Sequence, residues 1–122
     1  RLAALLHVAA EYVVGDLISP FKTAIGLDYK AFEARLLEAI HRRFSLPARL
    51  PESITAEIKT ADRIAAYYEA TVLAGFGNDE ALLYFGSPHG ISDELGQRLA
   101  RLVPSPAASA QQDFLERFST LS

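Results

Sequence analysis

The chain contains no cysteine and no methionine, and its net charge at pH 7 is only −3. Without cysteine it can form no disulfide, use no thiolate as a nucleophile and offer no thiolate to zinc. Lysine and arginine are scattered along the chain and form no basic footprint for nucleic acid. Apolar runs stay well short of the ~20 residues of a membrane span, and the first residues do not resemble a signal peptide. We therefore expect no nucleic-acid partner, no membrane partner and a cytoplasmic protein.

What the chain does have is apolar sequence at helical spacing. It is 122 residues long, 50% hydrophobic and 22% charged, which is typical of a single domain with its own core. Apolar residues recur at intervals of three and four residues, which predicts an all-α bundle of about five helices over residues 1–122. The chain opens at Arg1 in helical register, without a capping residue and without methionine. We therefore expect that its N-terminal part is missing.

Caps, glycines and prolines predict where the helices begin and end. A first helix ends at Gly15, and Ser19-Pro20 then form a loop. Asp28 is a good N-cap for the next helix. The predicted later helices span Tyr29 to Phe44, Glu52 to Ala74 with a stop at Gly75, Glu80 to Phe85, Ser92 to about Val103, and Ala107 to Leu121.

Titratable residues gather at the end of the first predicted helix. His7 and Glu11 stand four apart, which places them on one helical face, and Asp16 follows the helix end. One interpretation is a core histidine held by its own i+4 glutamate, with Asp16 in water. The other is a group of functional residues, and spacing alone leaves both open.

Asp62 is the other conspicuous carboxylate. It lies four residues after Ile58 and three before Ala65, so the apolar stripe of its helix predicts that it points into the core. A buried carboxylate needs a partner. That partner is either a hydrogen-bond donor at another helix end or a metal or phosphate. We interpret His41 as a residue at the edge of the apolar stripe of its helix. We interpret His89 as an exposed loop residue.

Several strings together resemble one family. His7-Val8-Ala9-Ala10-Glu11 is followed by Gly15-Asp16 and then by Ser19-Pro20-Phe21-Lys22. Asp28-Tyr29-Lys30-Ala31 with Glu33, and Lys59-Thr60-Ala61-Asp62-Arg63, come next in the same order. Over about residues 1–76 this pattern resembles the HD-domain phosphohydrolases, in the branch similar to bacterial 5'-deoxynucleotidases. Residues 77–122, the C-terminal helices, lie outside the resemblance.

The resemblance implies an HD-like helical fold and a metal-dependent phosphohydrolase acting on nucleoside 5'-monophosphates. In such enzymes a divalent ion activates water and neutralises phosphate oxygens. By this resemblance His7 and Asp62 are metal ligands, Glu11 and Asp16 are catalytic residues that orient water and assist proton transfer, and Pro20 and Lys22 contact substrate. The metal stays open among manganese, cobalt, magnesium, zinc and iron.

The chain departs from the family at two ligand positions. Val8 stands where the family has an aspartate next to the histidine, and a valine has no lone pair for a metal. The family's earlier histidine has no counterpart ahead of His7. We therefore expect an incomplete metal site and weak or absent metal binding. Two alternatives stay open, which are a non-catalytic relative that binds a nucleotide or phosphate ester, and a helical module that forms a homodimer through its C-terminal helices.

One geometric prediction tests the resemblance itself. Two ligands of one metal, each about 2.1 Å from it, lie close together, so we expect the His7 ring and the Asp62 carboxylate within roughly 3–7 Å.

Overall fold

The computed structural model describes the backbone of residues 1–122 and every side chain except those of Ser19 and Leu27. Helices account for 68% of the chain, and the described residues contain no strand. The all-α prediction is confirmed. None of the helices in these residues is long and apolar enough to cross a membrane.

The chain divides into two compact units. The first unit comprises residues 1–51 and 114–122, and the second comprises residues 52–113. The prediction of a single HD-like domain over residues 1–122 stays a prediction.

The first unit contains three short helical segments, one long helix and the end of the last helix. Among the described side chains of this unit, the buried ones are Ala3, Leu6, Ala10 and His41. The rings of Phe44 and Phe118 pack edge to face with their centroids 5.2 Å apart. The helices are α1 (Leu2–Leu5), α2 (Glu11–Val14), α3 (Ser19–Ile25) and α4 (Leu27–Arg43). The unit also contains the part of the last helix, α8 (Ala107–Leu121), from Phe114 onward.

The first predicted helix is not continuous, and on this point the prediction was wrong. Residues 6–10 form turns between α1 and α2. Their backbone bonds span three residues, as between the Glu11 amide and the Val8 carbonyl at 3.0 Å. Such turns are tighter than an α-helix and no longer stack residues four apart. Gly15 ends α2 as predicted, with a φ of +82° that a glycine adopts without strain.

The segment after Gly15 also differs from its prediction. Ser19-Pro20 do not form a loop, because they begin α3 after Ile18 in extended conformation. Proline fits there because the first residues of a helix have no intrahelical partner for their N–H groups. Gly26, with a φ of +100°, ends α3 and precedes α4. Asp28 therefore lies in the first turn of α4 rather than at its cap, where its charge still complements the helix dipole.

The second unit is built on a long helix. It contains α5 (Glu52–Tyr68), a π-helical turn (Glu69–Leu73), α6 (Asn78–Phe85), α7 (Asp93–Leu99) and the first part of α8 (Ala107–Leu121). Together α5 and the π-helical turn match the predicted helix from Glu52, and Gly75 follows with a φ of +78°. The Oγ of Ser92 caps α7 by accepting the Leu95 amide at 3.2 Å. That helix is shorter than predicted, because it ends at Leu99 instead of about Val103.

Few apolar side chains of the second unit are buried, and most of those are small. The buried residues are Ile58 on α5, Ala70 in the π-helical turn and Ala81 on α6. The rings of Tyr67 and Tyr68 at the end of α5 are 5.4 Å apart and nearly perpendicular. A large part of the apolar surface of α5 and α7 therefore stays accessible.

Candidate functional site

The residues named from the sequence divide between the units. His7, Glu11, Asp16, Pro20 and Lys22 belong to the first unit, and Asp62 belongs to the second. The residues of the first unit come from α2, α3 and the turns beside them.

Lys22 is anchored by a glutamate from the neighbouring helix. Its Nζ donates a hydrogen bond of 3.0 Å to Oε1 of Glu33, which links α3 to α4. The two side chains are only 20% and 23% exposed. The bond with Glu33 is the largest cause that raises the pKa of Lys22, so the lysine is held as a cation.

Glu11 is the electrostatic centre of the predicted site. Its pKa is raised above the ordinary glutamate value, first by burial and then by the negative charge of Asp16. Lys22 and His7 act in the opposite direction, whereas Glu33 adds to the rise. The charges of four residues therefore reach one half-buried carboxyl group, and three of them were named from the sequence as site residues.

Tyr29 and Glu33 adjoin the predicted site residues, although the resemblance assigned no role to either of them. Both lie on α4, one helical turn apart, and the charge of Tyr29 contributes to the raised pKa of Lys22. The Tyr29 hydroxyl oxygen is buried and has no hydrogen-bond partner among the described residues. An unsatisfied buried hydroxyl is rare in native proteins and calls for an explanation. Both residues belong to the string Asp28-Tyr29-Lys30-Ala31 with Glu33, which is part of the resemblance. This string was the sequence signal that could have pointed to them.

His7 is half-buried and lies in the turns between α1 and α2. The prediction that it shares a helical face with Glu11 was wrong, because three-residue turns separate the two. Val8 beside it is 53% exposed, and Asp16 and Pro20 are exposed as well. The remaining link between His7 and the site is its charge effect on Glu11.

Asp62 does not point into a core. Its side chain is exposed on α5, whereas Ile58, four residues earlier, is buried. The two residues differ by about 40° around the helix, and this rotation suffices to carry Asp62 off the buried stripe. A carboxylate in water needs no buried partner, so burial gives no reason to assign Asp62 a metal or a phosphate. Only the resemblance still supports Asp62 as a metal ligand.

The donor set does not make a complete metal centre. Among the described residues no three histidine or carboxylate side chains lie together in a way that could hold an ion. Val8 offers no lone pair beside His7. His7 and Asp62 belong to different units, and their predicted separation stays a prediction.

His41 is buried instead of lying at the edge of its stripe. It is 4% exposed, and its Nδ1 is 3.1 Å from the carbonyl oxygen of Ala48. Because a carbonyl only accepts, Nδ1 carries the hydrogen. The ring thus ties α4 to the segment that follows it, which is a structural role. His89 is exposed, as predicted.

Comparison with known proteins gives one informative match. The chain is 50% identical over 111 residues to an uncharacterised protein of Rhodobacter capsulatus. The match covers 90% of this chain and 55% of that relative, so the chain spans about half the length of the relative. It is longer than either unit and therefore includes residues of both. No family model matches the chain.

Proposed function

We propose that this chain is a phosphohydrolase of the HD type by descent that binds a nucleoside 5'-monophosphate or related phosphate ester beside Glu11 and Lys22. The observation that carries the proposal is the cluster itself. Glu11, Asp16 and Lys22 come from separate strings of the motif, and their charges act on one another in the first unit. We place the protein in the cytoplasm, where such esters are available.

The chemistry assigned to the cluster follows from its charges. Lys22 is a cation that Glu33 positions, and a phosphate dianion competes with Glu33 for its three donors. The pKa of Glu11 is raised above the ordinary glutamate value, first by burial and then by Asp16, so its carboxyl group holds a proton more readily than an exposed glutamate does. Asp16 is exposed and free to orient water.

The implied divalent metal enters no step of this proposal, because the residues present do not fit it. With Val8 in place of a carboxylate, we expect weak or absent binding of Mn²⁺, Co²⁺ or Mg²⁺. We also expect phosphate release from a nucleoside monophosphate to remain at background.

Binding is tested by titrating deoxyadenosine monophosphate into the labelled protein and following its amide NMR signals. Lys22→Met should weaken binding at least tenfold. Arg49→Met is the matched control, because Arg49 also pairs with a glutamate of α4, at 2.8 Å from Oε1 of Glu38. Equal binding by both variants would contradict the assignment of Lys22.

The metal site is tested by calorimetry with Mn²⁺ before and after Val8→Asp. Val8 is exposed, so the new carboxylate stays in water and should not disturb folding. We expect Mn²⁺ affinity to rise in this variant. Tight Mn²⁺ binding by the unaltered protein would show that the count of ligands is wrong. Chelator-resistant phosphate release that is lost in Glu11→Ala would indicate a metal-free mechanism.

The alternative is a helical module that forms a homodimer. The observation in its favour is apolar exposure on α8, where Phe114 and Leu115 are 42% and 52% exposed. Sedimentation velocity over a range of concentrations distinguishes this alternative, because a phosphate-binding monomer keeps a constant mass.

A further inference from the structure

The second unit contains a cavity that plays no part in the proposed function. It has a volume of about 610 Å³ and lies between α5 and α7. Ligand pockets typically measure ~300–1,000 Å³. The cavity is therefore large enough for a small molecule.

Small side chains on α5 leave this space open. Ala56, Ala61 and Ala65 line the cavity on α5, and Ile91, Leu95 and Leu99 line it from the loop before α7 and from α7. Leu95 is 40% exposed. Apart from His89, the described lining has no ring, so it favours an aliphatic occupant over a flat aromatic one.

The polar groups are placed at opposite ends. Glu57 lines the large cavity, whereas Arg63 lines an adjoining cavity of about 320 Å³. The two cavities share Thr60, Ile64 and His89. Six residues separate Glu57 from Arg63, which corresponds to about 9 Å along the helix. An anionic group is repelled at the Glu57 end and attracted at the Arg63 end, so the charges orient a ligand.

The guanidinium of Arg63 is available to an anion at its end of the cavities. Arg63 is exposed and forms no ion pair with any residue whose side chain is described. His89 Nδ1 is 2.8 Å from the Ser87 carbonyl oxygen and therefore carries a hydrogen. In the neutral ring Nε2 is then an acceptor, so Arg63 supplies the hydrogen-bond donors for an anion. A guanidinium matches a carboxylate with two parallel hydrogen bonds.

We propose that this cavity binds a medium-chain aliphatic carboxylate. The alkyl chain lies along Ala61, Ile64 and Leu95, and the carboxylate lies beside Arg63. α5 lines the cavity from Ala56 to Ala65, a length of about 13 Å, which accommodates an extended chain such as that of decanoate. The site is separate from the cluster around Glu11, so it does not depend on the proposed function.

The test is calorimetric titration of the full chain with decanoate and with decanol, both below their aggregation limits. We expect saturable decanoate binding in the unaltered protein. Arg63→Gln should weaken decanoate at least tenfold and leave decanol unchanged. Arg98→Gln, on α7 but away from both cavities, is the control and should change neither.

The second part of the experiment fills the cavity with a large side chain. Ala61 is exposed, so Ala61→Trp should fold, as circular dichroism will verify, and should abolish binding of both ligands. Ala110→Trp, on exposed α8, should bind normally. No decanoate binding at millimolar concentration, or equal binding by Ala61→Trp, would overturn the proposal. So would a concentration-dependent dimer that Ala61→Trp dissociates, because a second copy would then occupy the groove.

Discussion

The two units of the molecule use different interactions around their long helices. In the first unit α4 makes polar contacts, which are the Lys22–Glu33 and Arg49–Glu38 ion pairs and the hydrogen bond of the buried His41 ring. In the second unit α5 presents apolar residues, with Ile58 buried and Ala61 and Ile64 lining a cavity. The first unit concentrates charge, whereas the second leaves apolar space.

The largest expected effect tests whether apolar burial holds the second unit together. Ile58→Ala should lower the free energy of unfolding by about 2–4 kcal/mol, because the side chain is 9% exposed and its loss leaves a cavity. Ile54→Ala, one turn earlier on α5 and 39% exposed, is the matched control and should cost much less. Urea denaturation followed by amide NMR signals of the second unit measures both. Equal losses would mean that α5 has no preferred buried side.

The next effect compares the two ion pairs of the first unit. Lys22→Met should destabilise this unit by about 1 kcal/mol, because it leaves Glu33 partly buried without its donor. Arg49→Met should leave the urea midpoint unchanged, because the Arg49 side chain is 88% exposed and its pair is in water. If the two variants behave alike, burial does not distinguish the pairs, and the structural importance assigned to Lys22 is wrong.

The smallest effect concerns pH. Burial and Asp16 raise the pKa of Glu11 in the folded protein, so above the ordinary glutamate pKa of about 4.3 the folded state holds its proton more tightly than the unfolded state. The free energy of unfolding therefore falls as pH rises from that value through the raised pKa. Glu11→Gln removes this loss and should raise the urea midpoint at pH 7 but not at pH 4.

Glu38 supplies a control of opposite sign. The hydrogen bond from Arg49 lowers the pKa of Glu38. The contribution of Glu38 to the free energy of unfolding is therefore present above the ordinary glutamate pKa and is lost as pH falls through the lowered pKa. Glu38→Gln should therefore lower the urea midpoint at pH 7 if it changes it at all. A rise for both glutamine variants would point to general charge repulsion instead of the local environment of Glu11.

Local signals predicted the helices well where they act over one or two turns. Ser92 caps α7, Gly15 and Gly75 follow helix ends, and α8 has its predicted bounds. These features depend on backbone conformation and on neighbours in sequence. The same rules were less reliable for Ser19-Pro20, because a proline suits both a loop and the first turn of a helix.

The candidate site was only partly predictable. Glu11, Asp16 and Lys22 were named from their strings, and Asp16 and Lys22 both act on the pKa of Glu11, whereas their roles stay a prediction. Glu33 was missed as the partner of Lys22, because eleven residues separate them and no local rule pairs them. The position of Asp62 was wrong because an apolar stripe shows only that a helix has a buried side, with an error of tens of degrees at its edge.

The amino-acid sequence was thus sufficient to predict that this protein is helical and, closely, where the helices from α4 to α8 begin. Tertiary structure alone decided that His7 lies in turns, that Asp62 faces water, that Glu33 holds Lys22 and that α5 and α7 line an open cavity. The physical reason is the range of the interactions. Caps and helical periodicity act between near neighbours, whereas burial, ion pairing and cavity shape depend on which distant segments pack together.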